Sequence, residues 1–154
     1  MFKKKKKKSS FEGITKLQPL DFPSKVISVW SEAIIGNKQC QEILLKSEFK
    51  ALGIFVYALN LKDDAREWLM VNGYAHLMAM INAVEGNMDA LRWLELNKFD
   101  ILYHMALGGD GDKDAIKWLV KNGHQDMALI TKQIEHIKDL IEMENNDVHK
   151  IRAE

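Results

Sequence analysis

The chain has 154 residues, 22 Lys+Arg against 22 Asp+Glu, 47% hydrophobic residues, two prolines and nine glycines. That is enough to bury one sizeable core, too little for a typical barrel or two-domain enzyme, and too apolar for wholesale disorder. The single cysteine, Cys40, excludes an internal disulfide and a cysteine-built zinc site and fits a reducing, cytoplasmic setting. No apolar run approaches the roughly 20 residues of a membrane span.

The first element in chain order is an arm. Lys3, Lys4, Lys5, Lys6, Lys7 and Lys8 are consecutive, which leaves 16 basic and 22 acidic residues, a formal charge of −6, for the rest of the chain. Such an arm suits nucleic acid or an anionic membrane. Without such a partner it is a solvated terminus, because like charges repel and nothing apolar lies between Lys3 and Ser10. No secretory h-region follows the lysines, and position 2 is Phe2 rather than the glycine that N-myristoylation needs. Residues 1–20 therefore read as a basic arm and connector, and residues 21–154 as one domain.

Asp21-Phe22-Pro23-Ser24 starts the first helix, with Pro23 near its first turn and Ile27, Trp30, Ala33 and Ile34 on its apolar face. A period of 25 residues then dominates. Trp68, Trp93 and Trp118 each precede a leucine, within DAREWLMVNG, DALRWLELNK and DAIKWLVKNG, and Ile43 takes the same slot one copy earlier. Phe49, Tyr74, Phe99 and His124 share a second slot. Trp30, Phe55, Met80, Met105 and Ile130 share a third, and Ala33, Ala58, Ala83 and Gly108 a small-residue slot. Gly36-Asn37, Gly86-Asn87 and Gly111-Asp112 share a turn, and Asn72-Gly73 and Asn122-Gly123 another. Apolar residues at i, i+3 and i+4, capping Asn or Asp and terminal glycines make each copy a pair of short helices. Helix starts are expected near Pro23, Lys38, Phe49, Asp63, Tyr74, Asn87, Phe99, Asp112 and His124. The predicted class is all-α, a right-handed α-α solenoid of about four stacked helix pairs in which neighbours share one core. The tryptophan slot is placed in that core, since its regularity suits an interface between consecutive copies.

GNMDALRWLELNK is similar to the second-helix stretch of ankyrin repeats, and the likeness spans roughly Gly36 to Gln133. The period is 25 rather than the familiar ~33, the Thr-Pro-Leu-His start is missing, and little chain remains for projecting hairpins. The resemblance implies a shortened ankyrin-like stack whose general role is binding another protein.

From His124 the last helix continues without glycine or proline, and Met127, Ile130, Ile134, Ile137 and Ile141 make a heptad-like seam. It reads as a capping helix, with a homodimer contact as the alternative. In GGDGDKD, Asp110, Asp112 and Asp114 imitate a calcium loop, but Ala115 and Lys121 stand where that loop needs glycine and glutamate, so Asp112 reads as a helix cap. Gly108-Gly109 is expected to form a flexible turn. The five histidines form no metal or catalytic spacing, and no nucleophile elbow, P-loop or dinucleotide fingerprint occurs. The expected protein thus has no metal, cofactor or catalytic residue. It is a protein-binding scaffold, with anion binding through the arm as the alternative and an enzyme with a groove site as a weaker one. Turning each inner stripe toward the core leaves Ile54, Tyr57, His76, Asn82, Ile101, His104 and Leu107, with Ala51 and Ala79 between them, on a half-exposed face. That face is either covered by the N-terminal arm or C-terminal helix, or it is the partner-binding patch.

Overall fold

The computed structural model describes residues 16–18 and 20–153, with side-chain placement as far as Asp147. These residues form nine helices and no strand. They are α1 (Ser24–Ile34), α2 (Lys38–Leu45), α3 (Lys50–Leu59), α4 (Asp63–Val71), α5 (Ala75–Val84), α6 (Met88–Leu96), α7 (Asp100–Gly109), α8 (Lys113–Lys121) and α9 (Gln125–Ala153). Every start falls within one residue of its expected place. None of these helices is long and apolar enough to cross a membrane.

Local chemistry sets the boundaries. Asn37 accepts from the Cys40 N–H, Asn87 from Ala90, and Asp112 from both Asp114 and Ala115, which caps α2, α6 and α8 and accounts for Asp112. At the far ends of α4, α6 and α8, the Asn72, Asn97 and Asn122 amides each donate to the carbonyl of the tryptophan four residues earlier, at 2.8 Å. The turn that closes an inner helix is left-handed at Gly36, Gly86 and Gly111, but Leu61 takes that place after α3 with φ 71°. The turn that closes an outer helix is left-handed at Gly73 and Gly123, but at Lys98 (φ 61°) in the copy between them. A side chain in that region is strained by about 1–2 kcal/mol.

The odd-numbered helices form the inner layer, each touching the next, and the even-numbered helices pack outside them against their neighbours in the chain. α9 also packs on α1, so the inner layer closes on itself. The Ser31 hydroxyl donates to Gln133 Oε1 across this closure at 2.9 Å. Beyond the neighbour-to-neighbour contacts of a stack, the two ends of the array therefore meet. Trp30, Phe55, Met80, Met105 and Ile130, one from each inner helix, fill the centre and are at most 1% exposed. Leu44, Leu69, Leu94 and Leu119 anchor the outer helices.

Gly108 and Gly109 are not a flexible turn. They are buried at the end of α7, where a Cβ on Gly108 would lie 2.8 Å from Ile116 and 2.9 Å from Thr131, and one on Gly109 would lie 2.9 Å from Val84. Their missing side chains let α5, α8 and α9 approach α7 closely. α9 caps the array through its first half, where Ile130, Thr131 and Ile134 are buried and Lys138 pairs with Asp110. The helix has 29 residues, so about 20 Å of it extends past that pair.

Candidate functional site

The starts of the inner helices and the ends of the outer helices lie along one rim, and the aromatic slots of the period converge there. Trp68 stacks on Tyr74 (centroids 6.1 Å apart), Tyr74 on His76 (6.0 Å), His76 on Phe99 (5.2 Å) and Phe99 on Trp93 (5.7 Å), with interplanar angles of 14–19°. The Lys50 ammonium lies 5.6 Å from the Trp68 ring centre. The three tryptophans take equivalent, mostly buried positions as the periodicity implied, but they pack against the core from its edge rather than inside it. The next residue, always leucine, takes the buried position. One residue is about 100° of helix turn, which carries the indole to the edge of the apolar face. There it meets the ring at the following helix start.

The N-terminal connector crosses this rim as an extended strap. The Gln18 N–H donates to the Gly73 carbonyl at 2.9 Å. The strap passes so close to Gly73 that a Cβ there would lie 2.8 Å from the Lys16 carbonyl oxygen. Beneath it, His76 is 0% exposed, and beyond an approach to the Gln18 backbone its ring nitrogens make no well-formed hydrogen bond to a described residue. Burial pushes the His76 pKa below the usual imidazole value, and the neighbouring Gln18 backbone offsets part of that shift. Leu20 then packs on the core, and Phe22 lies edge-on to Trp30 and Phe49.

Beside the strap is an open recess of about 380 Å³. Its apolar walls are Leu20, Phe99, Ile101, Leu102 and Trp118; His124 and the exposed Lys98 and Asp100 complete it. Trp118 is held rigidly: His104 stacks on it at 3.7 Å and 4°, and His124 lies against it at 6.1 Å. His104 is itself fixed by its Nδ1–H, which donates to the Asp100 carbonyl at 2.8 Å. That bond assigns the proton to Nδ1, since a carbonyl only accepts.

Of the face expected from sequence, Ile101 lines the recess and His104 positions its tryptophan. His76 does not belong to an exposed face, because the strap covers it. Ile54, Asn82 and Leu107 are half-buried and Tyr57 is exposed at 39%, and none of the four lines the recess. Ala51 is buried. Lys3 to Lys8 lie outside the described residues. Phe99, Trp118 and His124 were visible as slots of the period, but their assembly into a recess depends on the rim. Among the described residues no three His, Cys, Asp or Glu side chains gather as a metal site. No family model, curated protein or solved structure matches the chain.

Proposed function

We propose that the protein is a non-catalytic binding module of a reducing compartment, whose recess receives apolar side chains of a partner protein. The observation that carries this reading is the Trp118 wall, stacked on His104 and flanked by His124, beside Phe99, Ile101 and Leu102. Rigid aromatic walls around a small apolar hollow are what the anchor residues of a protein interface require. Lys98 supports the same reading. It holds a left-handed backbone at the recess where two other copies use glycine, and strain of this kind concentrates at binding sites.

The test is selection from a random peptide library on the wild-type protein, followed by binding to the Ile101→Glu variant. Apolar peptides should be selected and should lose at least about 10-fold in affinity, since a charge then stands in the desolvated hollow. Selected peptides that bind Ile101→Glu and Trp118→Ala as well as the wild type would remove the recess as the site.

A further inference from the structure

We infer that the recess is the open counterpart, one period along, of the seat that the strap fills, and that its ligand is an extended leucine-bearing segment of a partner protein. This rests on the recess being the binding site. The strap is bonded to Gly73 and covers His76, and Tyr74, Phe99 and Trp93 continue the run of rings around that seat. Adding 25 to each number gives Lys98, Phe99, Ile101, Trp118 and His124, and all five line the recess.

The correspondence extends to the backbone. Gly73 offers its carbonyl to the strap, and no described residue donates to the carbonyl of Lys98. An extended ligand can thus make the same main-chain bond while its side chains fill the hollow. The strap supplies the template for those side chains, with Leu17 and Leu20, three residues apart, half-buried on the rim. The two seats differ in two ways. Ile101 replaces the polar ring of His76 and favours an apolar residue where the strap has Gln18. Lys98 carries a Cβ where Gly73 has none, so a ligand on the strap's path must lift at the end corresponding to Lys16. A second copy of the chain is a poor donor of the segment. Its own strap is bonded to Gly73 and packed through Leu20, and removing it would uncover His76.

The probe is a synthetic peptide with the sequence of residues 14–22, titrated into the labelled full-length protein and followed by amide chemical shifts. Shifts should centre on residues 98–102, 118 and 124. A peptide with lysine in place of both Leu17 and Leu20 should bind at least about 10-fold more weakly, because two buried leucines are lost. Lys98→Gly, which removes the obstructing Cβ, should bind the parent peptide more tightly. Shifts centred on residues 73–76 would mean that the peptide only displaces the strap, and would overturn the inference. Indifference to the leucines, or weaker binding by Lys98→Gly, would overturn it too. If the peptide fails to bind while library-selected apolar peptides still require Ile101, this inference falls and the proposed function stands. If no selected peptide depends on Ile101, the proposed function falls.

Discussion

Replacing His76 by leucine should stabilise the protein, although it removes a side chain with no exposed surface. The imidazole stacks on Tyr74 and Phe99, and beyond an approach to the Gln18 backbone neither ring nitrogen makes a well-formed hydrogen bond to a described residue. An unpaired buried polar group costs about 1–3 kcal/mol. Leucine has a similar volume and no polar atom, and it gives up a stacking gain of about 0.5–1.5 kcal/mol. The net expectation at pH 7.5 is about 1 kcal/mol of added stability, or about 0.5 M in the urea midpoint for a chain of this size. Acid should widen the gap. Because the folded pKa is lowered, the unfolded chain takes up a proton near pH 6.5 while the folded protein does not, so wild-type stability falls as pH falls. The slope is at most about 1.4 kcal/mol per pH unit, from the unfolded pKa down to the folded one, and the variant lacks this contribution. Urea unfolding of both proteins from pH 7.5 to pH 5 measures the difference and cancels the other titrating groups. A leucine variant no more stable than wild type, or a gap that does not grow on acidification, would refute the reasoning.

The left-handed positions Leu61 and Lys98 should each gain about 0.5–1 kcal/mol on replacement by glycine, as the strain relieved exceeds glycine's entropy cost. Thermal unfolding reads this directly, and a loss of stability at both sites would contradict it. In α6, Leu94→Ala should cost about 2–5 kcal/mol, whereas Trp93→Ala should cost less because the indole is half-buried on the rim. Equal losses at the two neighbouring positions in denaturant unfolding would return the tryptophan to the core.

The helices were legible residue by residue. Starts at Lys38 and Asp63 coincide with the structure, and the other seven shift by one, with Pro23, Phe49, Tyr74, Asn87, Phe99 and Asp112 standing at the N-cap and the last helix starting at Gln125 instead of His124. The slot of Trp30, Phe55, Met80, Met105 and Ile130 was legible as core for a related reason. An apolar residue repeated at the centre of a helix face must be buried wherever that face packs. Positions at the edge of a face lack this certainty. Trp68, Trp93 and Trp118 sit one residue from the buried leucines, and whether a ring there is covered depends on what other elements bring to the rim.

From the amino-acid order alone followed the helices, their pairing, the caps at Asn87 and Asp112, and the inward stripe, because each depends on contacts within a few residues or on a strict period. Three features were decided only by the tertiary structure: the closure of α9 onto α1, the strap over His76, and the recess beside Trp118. Each depends on residues far apart in the chain, as in the bond from Ser31 to Gln133 or from Gln18 to Gly73. The strap carries no hydrophobic period. Its place is set by the absence of a Cβ on Gly73 and by the rings beneath it, a steric allowance that becomes visible only when the two segments meet.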